Sequence, residues 1–102
     1  MNKLVLISGS SRGLGAAMAK SFSEAGYKVA INYFKSEKEA KSLSESLPSQ
    51  SHTFKCDVSS KDDVDAMLES IKEEFGYHPS ILVNNAMTVS YTHLTLPTTS
   101  SV

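Results

Sequence analysis

The stretch Lys3-Leu4-Val5-Leu6-Ile7-Ser8-Gly9-Ser10-Ser11-Arg12-Gly13-Leu14-Gly15 decides how the rest of the chain reads. Lys3 to Ser8 is a short β-branched and leucine-rich run without polar alternation. A strand buried on both faces has this pattern, which points to a parallel sheet. The run passes directly into glycines spaced G-x-x-x-G-x-G, at Gly9, Gly13 and Gly15. Beyond them Leu14, Met18, Phe22 and Ala25 recur at helical spacing and predict an apolar stripe, closed by Gly26 at the C-cap.

A glycine-rich turn between a buried strand and an amphipathic helix is the context that a phosphate site requires. Glycines permit the tight turn, close approach of a diphosphate and close packing of helix on strand. The helix N-terminus then offers N–H groups and the positive end of its dipole to an anion. The spacing differs from the G-x-G-x-x-G dinucleotide fingerprint, and no Lys-Ser/Thr pair follows as in a Walker A loop. Taken alone, the turn leaves an ordinary strand-to-helix connection open.

Working outward, Val29-Ala30-Ile31 reads as a second buried strand. Ser36 and Glu39 form a capping-box pair before a helix whose Ala40, Leu43 and Leu47 share a face and which Pro48 stops. Thr53 to Cys56 is a third strand. Ser59 and Asp62 repeat the capping signature ahead of a helix carrying Val64, Met67, Leu68, Ile71 and Phe75, ended by Gly76. Ile81-Leu82-Val83 is a fourth strand and runs into Asn84-Asn85-Ala86. The alternation predicts an α/β fold, a Rossmann-type doubly wound parallel sheet built β-α-β-α-β-α-β with strand order 3-2-1-4. Strand four is expected to present a bare hydrophobic edge.

Composition narrows the function classes. The 102 residues carry 10 Lys plus Arg against 11 Asp plus Glu, a net charge of −1. That balance supplies no general attraction for nucleic acid or an anionic membrane. No apolar run approaches the roughly 18–20 residues needed to span a bilayer. Leu4 to Ile7 is too short for a secretory signal. A single cysteine, Cys56, excludes an internal disulfide and a multi-cysteine metal site, and reads as a small buried hydrophobe. His52, His78 and His93 lack metal-ligand spacing. The expectation is a soluble, cytoplasmic chain with no metal. Composition then changes near Met87: the final 28 residues hold no Asp, Glu, Lys or Arg, and five of the six threonines lie in the last 15.

Ser8-Gly9-Ser10-Ser11-Arg12-Gly13-Leu14-Gly15 resembles the T-G-x-x-x-G-x-G cofactor loop of the short-chain dehydrogenase/reductase family, with Ser8 in place of Thr. Asp57-Val58 matches the family's adenine-contacting pair after strand three, and Asn84-Asn85-Ala86 matches three residues of its N-N-A-G motif. Each motif stands at the C-terminal end of a predicted strand, where a doubly wound sheet binds ligands. The resemblance covers residues 1 to 86 and is greatest to the 3-oxoacyl-acyl-carrier-protein reductase branch. It implies a nicotinamide-dinucleotide oxidoreductase whose full-length parent acts on a small-molecule or acyl-thioester carbonyl and is a homo-oligomer. It also implies cofactor contacts along Gly9 to Gly15, an adenine contact at Asp57 and Val58, and a nicotinamide-ribose contact at Asn85 and Ala86. From the residues alone, a turn or capping aspartate accounts for Asp57 nearly as well, and a turn is the commoner reading of the asparagines.

A site selecting NAD usually places Asp or Glu about 20 residues beyond the glycines, on the ribose 2′-OH. Here that place holds Asn32-Tyr33, with no carboxylate to repel a 2′-phosphate. The same lack disfavours an S-adenosylmethionine-dependent methyltransferase. Arg12 lies inside the turn and Lys35 follows nearby. The resemblance implies that a basic residue at the Arg12 position contacts the 2′-phosphate, and a planar guanidinium suits that group. NADP(H) is favoured over NAD(H).

The family performs its chemistry with a Tyr-x-x-x-Lys pair, a Ser and an Asn. No lysine follows Lys72, so neither Tyr77 nor Tyr91 begins that motif, and no catalytic residue is assigned. Met87 stands where the motif's glycine is expected, and the sequence from Thr88 onward resembles the translated adaptor-like tails of truncated gene fragments. Residues 1–86 are therefore read as the N-terminal half of an NAD(P)-binding Rossmann domain, and 87–102 as an atypical tail, artefactual or disordered. The competing reading is a non-catalytic nucleotide-binding or interaction module.

Overall fold

The structure, a computed structural model, describes residues 3–9 and 13–84. Strand β1 (Leu4–Ile7) leads through the glycine turn to helix α1 (Gly13–Glu24) and strand β2 (Lys28–Tyr33). Helix α2 (Glu37–Ser46), strand β3 (Ser51–Lys55), helix α3 (Lys61–Phe75) and strand β4 (Ile81–Val83) follow. All pairings are parallel and the order is β3-β2-β1-β4, as the alternation predicts. Backbone pairing outlasts the strands at their C-terminal ends: Ser8 N donates to Val83 O at 3.0 Å and Cys56 N to Tyr33 O at 2.8 Å.

The strands form because both sheet faces are covered. Leu4, Val5, Leu6 and Ile7 are all fully buried, which their unbroken apolar run requires. Side chains alternate across the sheet. Leu4, Leu6, Ala30, Phe54 and Cys56 meet Val64, Met67, Ile71 and Phe75 of α3 on one face. Val5, Ile7, Val29, Ile31 and Tyr33 meet Ala19 of α1 and Ala40, Leu43 and Leu47 around α2 on the other. Two helices lie on one face and one on the opposite face, the doubly wound arrangement. Among the described residues, β4 pairs with β1 alone, and its Ile81 and Leu82 stay half-exposed. No helix among them is long and apolar enough to cross a membrane.

Local structure corrects three expectations. On α1 the fully buried positions are Gly15, Ala19 and Ser23, while Met18 and Phe22 are half-buried and Leu14 is 66 % exposed. The helix lies on the sheet through its smallest residues, so the large apolar ones flank the contact. Ser36 precedes α2 but makes no side-chain capping bond, and its backbone (φ −101°, ψ 56°) departs from the extended geometry of a cap. At α3 the cap is Ser60, one residue later than the Ser59–Asp62 signature: its hydroxyl accepts from Asp63 N at 3.3 Å. Ser59 is turned back toward the end of β3, where its N–H and hydroxyl both donate to Asp57 Oδ1. Of the strands, β1 is shorter than the predicted run at both ends, β2 is longer at both ends, β3 begins earlier and stops before Cys56, and β4 keeps its bounds; α3 ends at Gly76 (φ 89°), whose N–H donates to Lys72 O.

Ile71 and Leu14 separate these readings experimentally. Truncating a fully buried isoleucine to alanine costs about 2–5 kcal/mol, so Ile71→Ala should lower the denaturant midpoint strongly. Leu14→Ala should stay within about 0.5 kcal/mol of the parent, as an exposed position does. Equal losses would place Leu14 in the core after all.

Candidate functional site

The C-terminal ends of β1, β2, β3 and β4 meet at one edge of the sheet. At its centre the chain leaves β1 through Ser8 and Gly9 and enters α1 at Gly13. Gly9 (φ 60°) and Gly13 (φ 65°) both adopt the left-handed backbone that favours glycine. A Cβ added at Gly13 meets nothing within 4 Å, so no other described residue fills that side of the turn. The first turn of α1 carries no acidic side chain to repel an anion. Gly15, in the first turn of the helix, is buried, and Leu14 faces outward beside the turn. Ser10, Ser11 and Arg12 lie outside the described residues, as do Asn85 and Ala86.

Two polar side chains brace this turn from either side. Ser8, fully buried, has one hydroxyl proton to donate, and Val83 O at 3.4 Å and Asn84 Oδ1 at 3.5 Å are both within its reach, tying β1 to the end of β4. On the other side Asn32 is 2 % exposed. Its Oδ1 accepts from Gly9 N at 3.1 Å, while its Nδ2 donates to Cys56 O at 3.2 Å and to Tyr33 O and Phe54 O at 3.4 Å. Tyr33 is buried on the opposite face, in the core beneath α1 and α2. Sequence reasoning named Asn32 and Tyr33 for their position beyond the glycines. A polar residue closing an otherwise apolar strand was the available signal of the brace.

At the end of β3, Asp57 is half-exposed and Val58 packs its side chain against the α3 core. Asp57 Oδ1 accepts from the Ser59 hydroxyl at 2.6 Å and from Ser59 N at 3.0 Å, and these bonds hold the carboxyl below its ordinary value. Asp57 N in turn donates to Asp63 Oδ2 at 3.2 Å, so the β3–α3 turn is fixed to the first turn of the helix. The adjacent Cys56 is buried, as expected, and burial pushes its thiol up to about 11, with the Asp63 and Asp57 charges adding to the effect. A recess of about 350 Å³ beside β3 and α3, lined by Phe34, Lys55, Asp63 and Met67 among others, includes none of the glycine-turn residues.

A parallel, doubly wound sheet whose central strand exits through a glycine turn into a helix N-terminus defines the class of Rossmann-type nucleotide-binding folds. Within that class the assignment is specific: the short chain dehydrogenase family matches residues 3–99, and the chain belongs to that family. It is 36 % identical over 89 residues to the 3-oxoacyl-acyl-carrier-protein reductase FabG of Staphylococcus epidermidis, covering 84 % of this chain and 36 % of that protein. It is 40 % identical over 86 residues to the acetoacetyl-CoA reductase of Paracoccus denitrificans, covering 84 % of this chain and 34 % of the relative. A metagenomic short-chain oxidoreductase solved in complex with NADP superimposes with a TM-score of 0.75 at 25 % identity, over 83 % of this chain and 39 % of that one. The chain thus spans little more than a third of the length of the curated relatives it matches.

The state of Cys56 is checked by its reactivity. With a thiol near 11, about 0.1 % is thiolate at pH 8, and burial blocks access as well. Iodoacetamide should leave the folded protein unlabelled at pH 8 and modify it after denaturation. Labelling at the rate of a free thiol in native buffer would contradict the buried assignment.

Proposed function

We propose that residues 1–86 supply the nucleotide-binding half of an NADP(H)-dependent oxidoreductase of carbonyl or 3-oxoacyl type, with 87–102 lying outside that unit. The single observation that carries this reading is the open glycine turn, with left-handed Gly9 and Gly13 at the C-terminal edge of the sheet and the N-terminus of α1 beyond it. These residues fit a diphosphate: the N-terminus of α1 offers backbone N–H donors, and its first turn carries no carboxylate. When bound, the dinucleotide supplies the hydride. The protein's part is to hold it, through the turn for the diphosphate, Arg12 and Lys35 for a 2′-phosphate, and Asp57 with Val58 for the adenine.

Names of relatives support the substrate class. Two of them are reductases of acyl-thioester carbonyls, and 3-oxoacyl chemistry is the common denominator. In the family pattern the proton is delivered by a tyrosine whose pKa a lysine lowers, four residues on. No such pair occurs in these 102 residues, so hydride transfer by this chain is assigned to the larger parent protein in the cytoplasm and not to a site within residues 1–86. The assembled parent is read as a homo-oligomer.

Two substitutions test the cofactor assignment by fluorescence or calorimetric titration. Gly13→Val puts a β-branched side chain at φ 65° on the open side of the turn. It should weaken NADPH binding on the order of a hundredfold; unchanged affinity in a folded variant would refute the turn as the diphosphate site. Arg12→Glu should raise the NADPH dissociation constant roughly ten- to hundredfold, the worth of a charged hydrogen bond, and that of NADH by far less. Equal effects on both would remove Arg12 from the 2′-phosphate.

A further inference from the structure

Asn32 stands, with Tyr33, at the place where an acidic residue reads the adenosine ribose in NAD-selecting sites, yet its side chain is turned into the protein. Every polar atom of the amide is matched. The carbonyl oxygen accepts from the backbone N–H of Gly9, and the amino group faces the carbonyls of Cys56, Phe54 and Tyr33. One planar group therefore joins the exit of β1, the end of β2 and the end of β3. A buried amide is costly unless so satisfied, and only an amide presents an acceptor on one side and a donor on the other with this shape.

We propose that Asn32 is a positioning residue: it acts on the cofactor through Gly9, fixing the glycine turn relative to the Asp57–Val58 turn, and does not itself read the ribose. The consequence for specificity is direct. Replacing Asn32 by aspartate keeps the acceptor for Gly9 but sets a second carboxylate oxygen against the Cys56 and Phe54 carbonyls, where the amino group had donated. An acidic residue here loosens the turn for both cofactors and does not shift preference toward NAD. The same loss follows from Asn32→Leu, which keeps the volume and removes both polar roles.

The test has two arms, of which only the second rests on the proposed function. In the first, amide hydrogen exchange is followed at Gly9 in the unsubstituted chain, in Asn32→Asp and in Asn32→Leu. Slow exchange in the parent, accelerated about tenfold or more in whichever variant folds, is expected. Parent exchange at the rate of an unstructured amide overturns the proposal without any variant. In the second, binding of NADPH, NADH and adenosine is compared. The variants should lose about tenfold in affinity for both dinucleotides, the cost of a misplaced turn, and less than about twofold for adenosine, which carries neither a diphosphate nor a 2′-phosphate for the turn to hold. A general structural defect would weaken all three alike, and Asn32→Asp with improved NADH affinity would make the side chain a ribose reader; either result overturns the proposal. A parent that protects Gly9 but binds no dinucleotide refutes the cofactor reading and leaves the Asn32 brace supported.

Discussion

Burial of both faces of β1 is the constraint on which the rest depends. Leu4 and Leu6 are committed to α3, Val5 and Ile7 to the helices on the other side, and none of the four retains exposed surface. A strand of this kind has to lie inside the sheet, with β2 on one flank and β4 on the other. The chain must then leave it at the edge between two neighbours whose covering helices lie on opposite faces. In doubly wound sheets this reversal opens the crevice in which ligands bind. The location of the glycine turn follows from how β1 is buried, and its conformation from the glycines.

An exit at the centre of a sheet brings polar backbone into a dry place. The structure answers with side chains chosen for hydrogen-bonding capacity. Ser8 supplies a hydroxyl toward Val83 and Asn84, and Asn32 supplies an amide toward Gly9 on one side and three carbonyls on the other. Buried polar groups are tolerated where partners are complete, and such networks favour one arrangement over its neighbours. The turn is thus anchored at both flanks by groups that belong to the protein.

Where large apolar residues carry the packing, the sequence was legible. The four strands, their order and α3, with Val64, Met67, Ile71 and Phe75 inward, all follow from periodicity. The face of α1 did not, because a helix resting on a sheet through glycine, alanine and serine leaves no trace in an apolar pattern, while Leu14 and Phe22 mislead it. The α3 cap was misread by one residue for a different reason: Ser59 and Ser60 both offer a hydroxyl, and Asp57 captures the first. For Asn32 and Tyr33 the obstacle was direction. Alternation along β2 sends Tyr33 to the α1 and α2 face and Asn32 inward with Ala30, and counting from the glycines does not reveal which way a side chain points.

That alternation bears on how one fold serves two nicotinamide cofactors. Recognition at the end of β2 works by a carboxylate only where the terminal residue reaches the ribose. In this chain both terminal residues are withdrawn, Asn32 to 2 % exposure and Tyr33 to 9 %. On the proposed reading, discrimination then passes to cations outside the strand, Arg12 from the turn and Lys35 from the segment after β2. Selection by attraction to a phosphate is sensitive to salt, whereas selection by hydrogen bonds to a ribose is much less so. A chain that spends its strand-end polarity on bracing the turn is left with the electrostatic route, and its preference for the phosphorylated dinucleotide should weaken as ionic strength rises.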